Sequence, residues 1–314
     1  MNTPKITWQH SFDGLRPEQI DERWVADGWG LEAYVFDGHD LADEQHWQAL
    51  HASLRQARRL GVTTLSTHFP TDHADWVGDP AMFAALLRFC ELAAAHHADG
   101  VVLHANQFVA ERDWLTYDLA GARRRVVDRL GELTERLRGY PLWIGVENLP
   151  VIGSEGIDYD PIFVYPGDFD PLAELGSPLL GVTWDLCHWA VTHSTAASIA
   201  QLQRRPSDST LMDLPALPIR HLHFGSYYGH AMPFWAGHCF EGATPQRGEA
   251  DAQLLAAALR HAIDTAEPTD GALGVVFEVQ EADYQARSSC WETVAWVHST
   301  PPLADLTSAR KTHV

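Results

Sequence analysis

Six ionisable side chains each close an apolar, strand-like run, and the runs recur along the whole chain. They are His68 (GVTTLSTH), His104 (GVVLH), Glu147 (LWIGVE), Asp185 (LGVTWD), His223 (IRHLH) and Glu278 (GVVFE). A strand buried on both faces reads as a continuous hydrophobic run. A carboxylate or imidazole ending such a run suits a site better than a core. If the strands are parallel, all six endings lie at one end of one sheet. Acids and imidazoles converging there point to a divalent-metal centre.

The rest of the chain supplies the strands and helices this requires. Strands are predicted at 6–10, at 31–36, up to His68, up to His104, and at 142–147, 180–185, 219–224 and 272–279. Helical spacing fills 43–60 and 119–138, a helix opening at Asp79-Pro80 runs toward Gly100, and an Ala- and Leu-rich helix covers 249–265. Asp before Pro is a helix start, because Asp caps free N–H groups and Pro needs none. Alternating strands and helices imply a parallel sheet. Eight such units in 314 residues predict an α/β fold, a closed (β/α)8 TIM barrel. An open doubly wound sheet is the alternative, but it would normally carry a Gly-rich phosphate turn after the first strand, which this sequence lacks. A single domain over 1–314 is expected, with 299–314 a loosely ordered tail. Two long loops, 149–167 and 225–247, follow strands that carry candidate ligands and are expected to wall the site.

Bulk properties narrow the partners. A formal net charge of −20 opposes binding to a phosphate backbone, so no nucleic acid is expected. The dense basic cluster Arg123-Arg124-Arg125 falls in a helical pattern and reads as a solvated face. None of the four cysteines forms a C-x-x-C pair, so neither a zinc knuckle nor a disulfide framework is suggested. No apolar run is long enough to span a bilayer, and the N-terminal residues lack a secretory pattern. A cytoplasmic protein without membrane contact is the expectation.

Glu147, Asp185, His223 and Glu278 come from four consecutive strands, so in a barrel their side chains can meet. Three carboxylates and an imidazole suit Mn²⁺, Zn²⁺, Mg²⁺, Co²⁺ or Fe²⁺, and ligand type alone does not choose among them. His188, three residues after Asp185, could bind metal or substrate. His221 and His223 are spaced i, i+2 and share a face, one as ligand and the other supporting it. His68 and His104 extend the row around the rim, toward a second metal or a substrate. His238 in the 225–247 loop could close over the site. Asn148, Trp184, Tyr227 and Trp235 complete the expected substrate pocket, although core packing is the simpler reading of Trp184.

The segments VVLHANQF, WIGVENLP, GVTWDLCHWA, IRHLHF and GVVFEV together resemble the xylose isomerase-like TIM-barrel superfamily. The resemblance covers strands two to eight. Its most specific pieces are Glu147-Asn148, Asp185-x-x-His188 and Glu278, with a strand-seven histidine between the last two. In the sugar epimerases of that group, Glu, Asp, His and Glu hold one divalent ion and the two Glu move the proton. The resemblance therefore implies metal ligation by Glu147, Asp185, His223 and Glu278, proton transfer by Glu147 and Glu278, and substrate contact by His188. It favours His223 over His221 as ligand, and a homo-oligomer, dimer or tetramer, would be unsurprising among such relatives. Two departures stand out. Gly225-Ser226 replaces a frequent Lys-Asp, and Gly229 occupies the place of an arginine used by epimerases. The endonuclease IV type of the same superfamily binds three zinc ions, and His68, His104, His188 and His238 fall at matching places. One aspartate of that set is replaced by Ala236.

Three functions follow as expectations. The first is a divalent-metal-dependent isomerase or epimerase of a sugar-like small molecule, working through an enediolate. The second is a multi-zinc hydrolase of a phosphate or other ester. The third is a non-catalytic barrel that binds a ligand. The acidic charge and the four-residue ligand set favour the first.

Overall fold

The structure is a computed structural model that describes residues 4–151, 159–229, 240–269 and 272–308. Eight parallel strands close into a barrel. The first seven are β1 (Ile6–Asp13), β2 (Gly30–Tyr34), β3 (Leu65–His68), β4 (Gly100–Leu103), β5 (Trp143–Glu147), β6 (Leu180–Asp185) and β7 (Ile219–Phe224). A short antiparallel ribbon of β8 (Ser226–Tyr228) and β9 (Phe240–Ala243) comes next in the chain, and the last barrel strand is β10 (Leu273–Phe277). Barrel neighbours follow chain order around the ring, and β10 pairs with β1 to seal it. The expected TIM barrel is therefore present, and no helix among the described residues is long and apolar enough to cross a membrane.

Strand parity sorts the side chains. Alternate residues of β6, such as Val182 and Trp184, face the surrounding helices, while Thr183 and Asp185 face the barrel axis. The outward set joins the helices in one continuous apolar core that includes Leu54, Phe89, Val126, Leu130, Trp184 and Leu259. The inward set is unusually polar: Gln9, Glu32, Ser66, His221 and His223 are all buried. Gly100 admits the Trp143 ring into this interior, since a Cβ at Gly100 would lie 1.9 Å from that ring.

Aspartates start most of the helices. Asp43, Asp79, Asp118, Asp185 and Asp251 each accept a backbone N–H from the first turn of the helix they precede. Such caps satisfy N–H groups that have no partner inside the helix. The helices over Leu186–Leu202 and Ser288–Ser299 are additions to the sequence reading. So is the β8–β9 ribbon, which lies within the expected 225–247 loop. His104 and Glu278 each stand one residue beyond their strand.

Candidate metal centre

Inward parity brings the strand-end residues together above the polar interior. Donor atoms of Glu147, Asp185, His223 and Glu278 all lie within 4.8 Å of one another. Register explains the match: Asp185 on β6 is the direct partner of His223 on β7. β5 and β10 flank that pair, and Glu147 closes β5 while Glu278 follows β10.

Glu147 is the hub. Its Oε2 lies 3.2 Å from His68 Nε2 and 3.1 Å from His104 Nε2. Its Oε1 lies 3.1 Å from His223 Nδ1 and 3.5 Å from His188 Nδ1. His223 Nδ1 is also 3.3 Å from Glu278 Oε1. Burial disfavours ionisation of Glu147, yet His223 and His104 outweigh it and hold the carboxyl well below the usual range. His223 shows the reverse balance: burial favours the neutral ring, but Glu147, Glu278 and Glu32 raise it well above an ordinary imidazole. Asp185 is pushed up to about 7 by burial, against the pull of His188 and with the push of Glu278 and Glu147.

Among the four candidate ligands, one buried oxygen lacks a hydrogen bond. Asp185 Oδ1 accepts the backbone N–H of His188 at 2.8 Å, whereas the buried Oδ2 accepts none. His188 Nδ1 stands 3.6 Å from Oδ2 and is committed elsewhere. A buried carboxylate oxygen left this way is unfavourable by several kcal/mol unless something positive meets it. The oxygen-rich donor set and this orphan oxygen fit a hard or borderline divalent cation.

The remaining predicted residues divide. His68 and His104 join the cluster through Glu147, and the donors of His68, Glu147 and His223 form a second close-set group. His188 is in the first turn of its helix, and its Nδ1 donates to the Asn148 carbonyl at 2.7 Å. That leaves Nε2 toward the cleft, 3.3 Å from Glu241 Oε2 on β9. His221 sits one layer deeper, 3.0 Å from Glu32. Asn148 joins β5 to β6: its amide donates to the Asp185 carbonyl and accepts the Asp185 N–H, at 2.9 and 2.7 Å. Its side chain is spent on the scaffold rather than on a pocket. Trp184 faces outward against Trp189 and Phe169, because it alternates with the inward Asp185, and so does not line the pocket. Tyr227 is buried on the ribbon. Trp235 and His238 lie outside the described residues.

A cleft of about 530 Å³ opens onto Asp185, His188 and Glu278 and is walled by Tyr34, Phe36, Arg16, Glu241, Gln280 and Tyr284. Three features of the site escaped the sequence reading. Glu32 lies within β2 rather than at a strand end, Tyr34 lies tilted against His68 at 4.2 Å between ring centres, and Glu241 arrives from the ribbon. The acid in the short run GLEAY does not declare its face in the sequence, and nothing local marked Glu241.

An eight-stranded parallel barrel whose strand ends gather acids and imidazoles defines a TIM barrel with a candidate divalent-metal centre. A family model described as xylose isomerase-like TIM barrel matches residues 26–264, and the chain belongs to that family. A comparison with curated proteins finds no match. Among solved structures, 3-keto-D-glucoside 4-epimerase YcjR from E. coli aligns with a TM-score of 0.59 at 17% identity, covering 94% of this chain and 100% of that one. A Thermus thermophilus protein whose crystals were soaked with ZnCl2 aligns with a TM-score of 0.58 at 22% identity, covering 98% and 100%. An AP endonuclease, family 2, from Brucella melitensis aligns with a TM-score of 0.55 at 13% identity, covering 92% and 97%. At these identities the likeness is one of fold.

Proposed function

We propose that the protein is a divalent-metal-dependent isomerase or epimerase of a sugar-like small molecule, moving a proton through an enediolate of the substrate. The observation that carries this reading is the four-residue donor set of Glu147, Asp185, His223 and Glu278, with Asp185 Oδ2 left without a hydrogen bond. These residues would hold the ion, with Mn²⁺ and Zn²⁺ the first two to try and Mg²⁺, Co²⁺ and Fe²⁺ also compatible with the donors. When bound, such an ion polarises a substrate carbonyl and makes the neighbouring C–H more acidic.

The two glutamates divide the work unequally. Glu278 reaches the cleft and its side chain is 26% exposed, so it is placed to take a proton from substrate. Glu147 is 1% exposed behind it, enclosed by His68, His104 and His223. It serves first as ligand, and as proton partner only for a substrate that enters deeply. His188 Nε2 faces the cleft and donates to a substrate hydroxyl. Glu241 holds that nitrogen until substrate arrives. The acidic walls favour an uncharged aldose or ketose over a phosphate ester.

A second reading has one observation in its favour. His68 and His104 both converge on Glu147 Oε2, which is a start on a second ion site and hence on multi-zinc hydrolysis.

One experiment separates the two. Full-length protein purified without chelator is analysed for metal, then incubated in D2O with a panel of aldoses and ketoses. The proposal expects one ion per chain and deuterium at a carbon next to a carbonyl, with Glu278→Gln lowering incorporation at least about 100-fold. Two or more zinc ions with phosphoester cleavage and no deuterium uptake would replace it with the hydrolase.

A further inference from the structure

Beneath the four candidate ligands lies a charged residue that the proposed chemistry does not touch. Glu32 is fully buried on β2, inside the barrel. An ionised carboxylate is disfavoured there unless it is paired, and an apolar residue would fill the space at lower free energy. Its two oxygens are treated differently. Oε2 accepts from Ser66 Oγ at 2.7 Å and meets His221 Nε2 at 3.0 Å. Ser66 is itself held by the Gln9 side-chain amide at 3.1 Å. Oε1 and His223 Nε2 face each other at 3.0 Å, an ion-pair distance, and neither atom makes a hydrogen bond elsewhere. The carboxylate is pinned at one oxygen, which sets the other beside His223 Nε2.

His223 spans the two layers. Its Nε2 points down to Glu32, and its Nδ1 points up to Glu147 and Glu278. We propose that Glu32 is a positioning residue that fixes the His223 ring so that Nδ1 is its metal-binding atom and Nε2 keeps its proton. A carboxylate behind a ligating imidazole sets which nitrogen carries the proton and makes the other a better donor. Ser66 and His221 act on the ion at one remove, by holding Glu32. This inference rests on the metal-centre reading and deepens it.

The test uses full-length protein with ¹⁵N-labelled histidine and Zn²⁺ as the probe. Long-range ¹⁵N–¹H correlation spectra of the loaded protein report which His223 nitrogen is protonated, and chelator competition gives the affinity. The expected wild-type result is a proton on Nε2 and zinc on Nδ1. Glu32→Gln is expected to weaken zinc binding roughly 10–100-fold without changing the number of ions at saturation. Zinc on Nε2 in the wild type, or wild-type affinity in Glu32→Gln, would overturn the role of Glu32 while leaving the metal centre standing. A wild type that takes up no ion would overturn both. The wild-type spectrum decides the assignment even if the variant fails to fold.

Discussion

At the scale of the residue, protons and a metal ion compete for the same atoms. Without metal, His223 is held well above its ordinary value by Glu147, Glu278 and Glu32 against the effect of burial, and Asp185 is raised to about 7 chiefly by burial. Both must shed protons before they can act as ligands, since metal binds carboxylate and neutral imidazole. Metal affinity should therefore rise with pH through about 7, and uptake should release protons. Calorimetry in buffers of different ionisation enthalpy measures that release; a pH-independent affinity between about 6 and about 8 would contradict it. The sign for stability runs the other way in the chelated protein. A carboxyl raised above its unfolded value stabilises the fold at low pH, and for Asp185 that contribution is lost as pH rises through about 7. Legibility at this scale was high for strand ends and poor elsewhere. Glu147, Asp185, His223 and Glu278 each end an apolar run that has no other reason to stop in a charge. Glu32 escaped because a single acid inside a short strand looks the same as a solvent-facing one until the barrel closes. Trp184 could have been placed outward from parity alone, given an inward Asp185.

At the scale of the element, Asp185 serves two structures at once. Oδ1 caps the helix Leu186–Leu202 through the His188 N–H, and Oδ2 faces the candidate centre. Asparagine caps about as well as aspartate but carries no charge. Asp185→Asn should leave folding stability within about 1 kcal/mol of the wild type in urea titrations of the chelated protein. The same change should abolish tight metal uptake. A variant that still binds metal tightly would remove Asp185 from the ligand set. The helix it caps was missing from the sequence reading for a physical reason. Every residue from Leu186 to Thr192 is buried, so no polar stripe alternates with an apolar one. The ribbon of β8 and β9 was missed because its strands are short and only partly buried, and the signal in a loop of that length is weak. Yet the ribbon delivers Glu241 to His188, so part of the cleft depends on an element that periodicity could not reveal.

At the scale of the whole molecule, the barrel turns a one-dimensional pattern into a site. Eight parallel strands point their C-terminal ends the same way, which is why charges far apart in sequence share one cluster. Strand count, order and direction were all readable, because each β/α unit repeats the same apolar run and helical spacing. The depth of the polar interior was not readable. Gln9, Ser66, Glu32 and His221 meet only through closure, over separations as long as 189 residues. The central claim is that this closure creates a seat for one divalent ion. Anomalous diffraction from crystals grown with Mn²⁺ tests it most directly. The account predicts a single strong peak about 2.1–2.3 Å from oxygens of Glu147, Asp185 and Glu278 and from His223 Nδ1. No peak among those four residues, with excess ion present and bound elsewhere or not at all, would contradict it.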